Sequence, residues 1–242
     1  MQKILSNKVV AIIPARGGSK RIPNKNTKLF AGRPIISYSI RGAQETGLFN
    51  RVIVSTDSPE IACVARDYGA EVPFLRPAEL ADDFTGTAEV VCDAIAWLAQ
   101  EGVQPESICC IYATAPFIQA SYLKQGYDKL VSSDATSVFS VTTYPYPIYR
   151  SLKITEKDHI EMIWPEYTNC RSQDLPEAYH DAAQFYWANT DKFMKEKVLF
   201  AKDSLPVILP RYLVQDIDTA EDWETAEIMF TAIKAKTEFK NR

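Results

Sequence analysis

Short apolar runs alternate with segments of helical period along the first half of the chain. The run Val-Val-Ala-Ile-Ile at 9–13 is β-branched and closed by Pro14, as expected of a buried strand. Residues 51–57 read as a second buried strand, and 71–75 as a third, broken by Arg76-Pro77. Between the first two, Ile35, Ile36, Ile40 and Ala43 recur at helical spacing after Pro34, with Gly47 as the stop. Ile61, Ala62, Val64 and Ala65 do the same behind Pro59, with Asp57 or Ser58 as cap and Gly69 as stop. Strand–helix–strand–helix–strand with short links predicts a parallel sheet with right-handed crossovers.

The pattern continues through a polar link, residues 82–87, into a helix over 88–100. Residues 108–113 are apolar throughout, which predicts a central strand. Thr114-Ala115-Pro116 follows at its carboxyl end, where open α/β sheets bind ligands. A helix over 120–132, weakened by Gly126, and a strand over 136–141 come next. The rhythm then breaks. Tyr144, Tyr146 and Tyr149 crowd around Pro145 and Pro147, and 151–154 with 159–164 predict a hairpin about Glu156-Lys157-Asp158. Residues 144–179 therefore read as an insertion. Ile160, Met162, Ile163, Trp164 and Tyr167 make it more apolar than an exposed hairpin should be, which points to a covered interface. A strand over 184–188, a short helix capped by Asn189, strands over 207–209 and 212–217, and a closing helix begun at Thr219 complete the chain. The charged tail after Lys234 is expected to fray.

Composition narrows the classes. With 46% hydrophobic and 24% charged residues, 242 residues suit one domain with a sizeable core. A net charge of −4 argues against general nucleic-acid binding. No apolar run reaches the ~18 residues of a membrane span. The first eight residues are polar and lack a signal region. Five cysteines without a Cys-x-x-Cys pair suggest reduced thiols and a cytoplasmic setting.

The chemistry concentrates after the first strand. Gly17 and Gly18 lie among Arg16, Lys20, Arg21, Lys25 and Lys28. Paired glycines allow backbone N–H groups to face phosphate oxygens, and arginine grips phosphate with two donors. The pattern is neither Gly-x-Gly-x-x-Gly nor the P-loop, which disfavours an NAD-dependent dehydrogenase. A non-catalytic nucleotide-binding protein is the other alternative, and it need not keep Lys25, Asp216 or Asp218. Asp216 and Asp218, two apart near a predicted strand end, share a face and repel unless a hard cation such as Mg²⁺ lies between them. The plainer reading makes Asp218 a cap for the last helix, which accounts for one aspartate and not both.

The stretch Ile13-Pro14-Ala15-Arg16-Gly17-Gly18-Ser19-Lys20, with Pro23, Lys25 and Asn26, resembles the nucleotide signature of sugar nucleotidyltransferases that make CMP-linked acid sugars. The resemblance spans about 9–232. Residues 169–175 and 178–187 are most similar to the pseudaminic acid cytidylyltransferases, with the N-acylneuraminate and legionaminate enzymes as the nearer alternatives. It implies a doubly wound, mostly parallel α/β fold of the nucleotide-diphospho-sugar transferase type, with the insertion as a homodimerisation element reaching toward the partner's site. It implies that CTP and a nine-carbon acid sugar are the substrates and Mg²⁺ the cofactor. Ala15, Arg16, Gly17, Gly18, Lys20, Lys25 and Asn26 would hold the nucleotide, with Arg76, Thr85 and Thr87 at base and ribose. Arg16, Lys25 and Asp218 would carry the catalysis, and Asp216 with Asp218 the metal. Tyr112, which stands where the neuraminate enzymes are expected to have glutamine, would line the sugar pocket with His180, Asp181, Gln184 and Tyr186. Arg150 and Arg171 are the candidates for the sugar carboxylate. Phe185 and Trp187 would add to an aromatic wall.

Overall fold

The computed structural model describes residues 9–82 and 84–240, with side chains to 236. The first eight residues, Asp83 and the end of the charged tail lie outside the described residues. In chain order the elements are β1 (Val9–Pro14), β2 (Leu29–Phe30), β3 (Arg33–Pro34), α1 (Ile36–Thr46), β4 (Arg51–Ser55), α2 (Pro59–Asp67), α3 (Thr87–Gln100), β5 (Ser107–Ile111), α4 (Ala120–Val131), β6 (Ser137–Thr143), β7 (Leu152–Ile154), β8 (Ile160–Met162), β9 (Tyr179–Asn189), α5 (Thr190–Glu196), β10 (Leu205–Ile208) and α6 (Ala220–Lys240).

Six strands form one sheet in the order β10-β6-β9-β5-β1-β4. β1 runs parallel to β4 and β5, and β10 to β6, while β9 is antiparallel to both neighbours. The sheet is therefore mixed but mostly parallel, with β5 and β1 deep inside as the apolar runs predict. Alternation along β1 sends Val9, Ala11 and Ile13 to the face covered by α1, α2 and α4. Val10 and Ile12 face α3 and α5. A third cluster, built on Phe30, Phe117, Leu213, Ile217 and Trp223, docks α6 beside the loop that follows β1.

Local signals explain most boundaries. Gly47 ends α1 at φ 64°, which costs glycine little. Ser58, not Asp57, caps α2 by accepting from the Ile61 N–H at 3.3 Å. Three expectations fail. Pro34 belongs to the β2–β3 ladder, and α1 begins at Ile36. Residues 71–75 make only isolated bridges at Glu71 and Leu75, because Pro73 removes a ladder donor. Residues 212–217 form no strand; a short 3-10 turn over Arg211–Leu213 leads into an extended segment without sheet partners. β9 starts earlier than its apolar run suggests, since the register slips between Phe139 and Val141 and Ala183 takes φ 50° there.

Gly126 is more than a weak point in α4. A Cβ there would sit 2.6 Å from Trp187 Cδ1 and 2.9 Å from Nε1. Trp187 cannot readily yield: its indole N–H donates to the Leu123 carbonyl at 3.0 Å, and the ring stacks on Phe49 at 5.1 Å. Gly126→Ala gains about 1 kcal/mol of helix propensity but incurs about 1–3 kcal/mol of overpacking. A lower denaturation midpoint is the expected result; an unchanged or raised midpoint would contradict this packing.

Candidate active site

The carboxyl ends of β4, β1 and β5 lie side by side, and the loop of residues 15–28 rises from the middle one. Ala15 is buried and its N–H still donates to the Ser55 carbonyl at 2.9 Å. One residue later the loop leaves the sheet. The Gly17 N–H donates to Asp57 Oδ1 at 2.9 Å, so this amide is committed inside the protein. That corrects the reading in which both glycine amides face phosphate. Neither glycine has positive φ. Gly17 sits at a close approach, since a Cβ there would lie 3.1 Å from Ser58 Cβ, whereas Gly18 faces open space. Asn26 is buried and ties the far side of the loop back, donating from Nδ2 to the Arg16 carbonyl at 2.9 Å.

Two cavities open beside this loop. One, of about 290 Å³, is lined by Arg16, Ser19, Lys20, Arg21, Lys25, Asn26 and Asp218. The other, of about 220 Å³, is lined by Pro14, Arg16, Arg76, Leu80, Asp82, Thr85, Thr87 and Val90. Arg16 borders both, and its Nη1 donates to the Asp82 carbonyl at 3.0 Å. Lys28 is not part of the cationic group: its ammonium lies 4.3 Å from the Trp223 ring centroid, a cation–π contact on α6.

Arg76 forms the floor of the second cavity and is only 6% exposed. Its Nη2 donates to the Ser55 carbonyl at 3.2 Å, its Nη1 to the Leu80 carbonyl at 3.3 Å, and Asp57 Oδ1 lies 4.0 Å from Nη2. Among the described residues its buried Nε has no hydrogen-bond partner. Burial lowers the Arg76 pKa, while Asp57 and then Asp93 oppose that shift. Asp93, on α3, has its own pKa raised by burial against the pull of Arg76. The sequence offers Asp57 only as a helix-cap candidate and does not point to Asp93 at all. The available signal for Asp57 was its place just beyond a strand that neighbours the loop-bearing one.

The two aspartates of 216–218 sit on the extended segment rather than on a sheet strand. They nevertheless sense each other. Burial raises the Asp216 pKa most, and Asp218 raises it further, while Lys25 lowers it. Asp218 is not the helix cap. Thr219 fills that role, its Oγ1 accepting from the Asp222 N–H at 3.2 Å, while Asp222 Oδ2 accepts the Asp218 and Thr219 N–H groups at 3.1 and 2.8 Å. The Asp218 carboxylate instead faces the loop, 3.1 Å from Arg21 and 3.4 Å from Lys25. Lys25 Nζ also donates to the Ile217 carbonyl. Lys25 is thus a half-buried strut between loop and segment, not a solvated loop cation.

The residues expected around the sugar separate into groups. Tyr112, just beyond β5, packs on Tyr186 with ring centroids 5.1 Å apart, and its pKa is raised by burial against the pull of Thr87; the Tyr186 hydroxyl donates to Asp181 Oδ2. Thr87, Tyr112, Tyr186 and Asp181 form one chain of contacts from the second cavity into β9. Asp181 Oδ1 accepts the Ala183 N–H at 2.9 Å and so holds the bulge. His180 packs on Tyr144 at 4.8 Å. Tyr186, Phe185 and Trp187 have no exposed surface, so they are core and not a pocket wall. Gln184 is also buried; its amide donates to the Leu213 carbonyl and props the segment that carries Asp216. Arg150 donates to the Cys170 carbonyl and Arg171 pairs with Asp174 at 2.7 Å, both within the insertion. Neither contacts Tyr112 or Asp181 among the described residues.

A cationic loop at the carboxyl end of a mostly parallel sheet, joined through one arginine to a second polar cavity, defines a nucleotide-binding α/β protein. The chain belongs to the cytidylyltransferase family, whose profile matches residues 10–230. It is 43% identical over 223 residues to a pseudaminic acid cytidylyltransferase of Campylobacter jejuni, covering 92% of this chain and 96% of the relative. It is 30% identical over 228 residues to a CMP-N,N'-diacetyllegionaminic acid synthase of Legionella pneumophila, covering 91% and 95%. A solved CMP:2-keto-3-deoxy-manno-octonic acid synthetase complexed with CTP shares the fold at a TM-score of 0.66 and 12% identity, over 93% of this chain and 99% of that one. Among the described residues no helix is long and apolar enough to cross a membrane.

Proposed function

We propose that the protein transfers CMP from CTP to pseudaminic acid and releases pyrophosphate. The observation that carries this reading is Arg16 bordering both cavities, which gives a polyphosphate and its nucleoside one continuous place to lie. The high identity to a pseudaminic acid enzyme over nearly the whole of both chains supports the sugar.

The anomeric hydroxyl of the sugar attacks the α-phosphorus; a new P–O bond forms, the hydroxyl proton passes to water, and the bond to the bridging oxygen breaks to release pyrophosphate. Phosphoryl chemistry leaves the protein mainly to position groups and balance charge. Arg16, Lys20 and Lys25 would receive the charge that grows on the departing pyrophosphate. Arg76 with Thr85 and Thr87 would seat cytosine and ribose, and Tyr112 and Asp181 would border the sugar.

Asp216 and Asp218 fit a magnesium site. Asp216 is held reluctant to ionise by burial and by its neighbour, and a cation offsets both. Mg²⁺ keeps waters and substrate phosphates as ligands, so two carboxylates are enough to hold it. When bound there it would withdraw charge from phosphate oxygens and make the attacking hydroxyl more acidic. Release of pyrophosphate from CTP that depends on both Mg²⁺ and pseudaminic acid tests the reading. No release with that sugar would refute it.

The insertion is proposed to join two copies. Ile154, Ile160 and Tyr146 are 73%, 69% and 80% exposed, more apolar surface than a lone hairpin usually shows to water. In a dimer, Arg150 and Arg171 would exchange their contacts to the Cys170 carbonyl and Asp174 for the other copy's sugar carboxylate. Light scattering at micromolar concentration should give twice the chain mass, and an interface of about 1,600 Å² is the size to expect. An active monomer would contradict this. Work in the cytoplasm is part of the same proposal; all five cysteines are free thiols, with Cys109 and Cys110 buried and their pKa values raised by burial.

A further inference from the structure

Asp57 makes no contact with either cavity as lined, yet it lies between two parts of the nucleotide site. One carboxylate oxygen, Oδ1, accepts the Gly17 N–H at 2.9 Å and also lies 4.0 Å from Arg76 Nη2. Gly17 belongs to the cationic loop, and Arg76 is the buried base of the other cavity. The arrangement is tight: a Cβ on Gly17 would lie 3.5 Å from Asp57 Oδ2 and 3.1 Å from Ser58 Cβ. Ser58 is fixed in turn as the cap of α2, and Thr56 Oγ1 accepts the Ser58 N–H at 3.1 Å. The carboxylate therefore stands on a rigid strand–helix corner. No other acidic side chain accepts from the loop's Gly17–Gly18 backbone among the described residues.

We infer that Asp57 is a positioning residue that sets the phosphate loop and Arg76 in register, so that the two ends of one nucleotide meet correctly spaced donors. A charged acceptor holds an amide more firmly than a neutral one. The same charge keeps the Arg76 guanidinium turned toward Asp57 and the Ser55 carbonyl, an orientation that its unpartnered Nε does not enforce. The glycine pair is then asymmetric. Gly17 is there because the corner approaches it, and Gly18 serves the open side. This inference rests on the nucleotide reading of the two cavities, and it adds the coupling between them.

The variants are Asp57→Ala, Asp57→Asn, Gly17→Ala and Gly18→Ala, each checked for wild-type circular dichroism and melting. Calorimetry measures binding of inorganic pyrophosphate, which probes the loop alone, and of CTP; steady-state kinetics separates KM for CTP from kcat and compares CTP with UTP. Asp57→Ala should weaken both pyrophosphate and CTP by about tenfold or more, the usual scale for losing a charge-assisted hydrogen bond. Asp57→Asn keeps an acceptor for Gly17 and loses the charge facing Arg76. It should bind pyrophosphate within about threefold of wild type while losing preference for CTP over UTP, a split that general damage would not produce. Gly17→Ala should follow Asp57→Ala, and Gly18→Ala, whose added Cβ meets nothing within 4 Å, should lose clearly less pyrophosphate affinity than Gly17→Ala. Wild-type pyrophosphate and CTP binding in Asp57→Ala, or equal losses in Gly17→Ala and Gly18→Ala, would overturn the inference and leave the nucleotide reading standing. Wild-type protein that binds neither probe would overturn both. Should Asp57→Ala not fold, Asp57→Asn and the glycine pair decide alone.

Discussion

Asp218→Asn is expected to slow turnover at saturating substrates by about a hundredfold or more, the scale of losing several kcal/mol of charge stabilisation in the transition state. The geometry sharpens this expectation. Asp218 has no capping duty, because Thr219 and Asp222 close the start of α6 between them. Its carboxylate is exposed enough to reach solvent and stands against Arg21 and Lys25 at the edge of the phosphate cavity. The asparagine keeps the shape and loses the charge, so the fold should survive while the Mg²⁺ concentration needed for half-maximal rate rises. Kinetics across a Mg²⁺ titration, with melting as a control, measures both effects. Near-normal turnover at saturating Mg²⁺ would remove Asp218 from the metal site.

Lys25→Ala should also cost about a hundredfold to a thousandfold in kcat, the range seen when one donor to a developing negative charge is removed. Lys25 does two things at once. It lines the cavity proposed for the triphosphate, and it braces the loop against the Ile217 carbonyl and Asp218. Removing it should therefore lower kcat and raise KM for CTP together. Arg21 lines the same cavity, but at 66% side-chain exposure it pairs with Asp218 without bracing the backbone as Lys25 does, and Arg21→Ala should have a far smaller effect. Wild-type kcat in Lys25→Ala, or equal losses in the two variants, would contradict this division of roles.

The sheet was legible because apolar runs of strand length and helical repeats marked by Gly47, Ser58 and Pro59 are local signals. The loop chemistry was legible for the same reason: its glycines and cations are consecutive. What escaped depends on long-range contact. Nothing near Gly17 in sequence says that Asp57 takes its amide. The segment 212–217 has the composition of a strand, yet it joins no sheet, and its carbonyls at Leu213 and Ile217 go to the Gln184 amide and the Lys25 ammonium. Phe185, Tyr186 and Trp187 look like a pocket wall beside His180, but β9 lies inside the sheet, where both faces are core. The bulge at Ala183 hid the first half of that strand.

That last correction bears on the sugar. With the aromatic triplet buried, the proposed reading assigns the preference for one nine-carbon acid sugar over another to Tyr112, Asp181 and His180, together with the second copy of the proposed dimer. A hydrophobic contact alone discriminates by about 10–200-fold, and buried polar groups left unpaired add to it. The decisive measurement is a competition at limiting CTP and saturating Mg²⁺ between pseudaminic acid and N-acetylneuraminic acid, with both CMP-sugars quantified. CMP-pseudaminic acid should dominate, with a kcat/KM ratio above about tenfold from contacts alone and higher if neuraminate hydroxyls lose their partners. Equal use of the two sugars, or a preference for N-acetylneuraminic acid, would contradict the assignment.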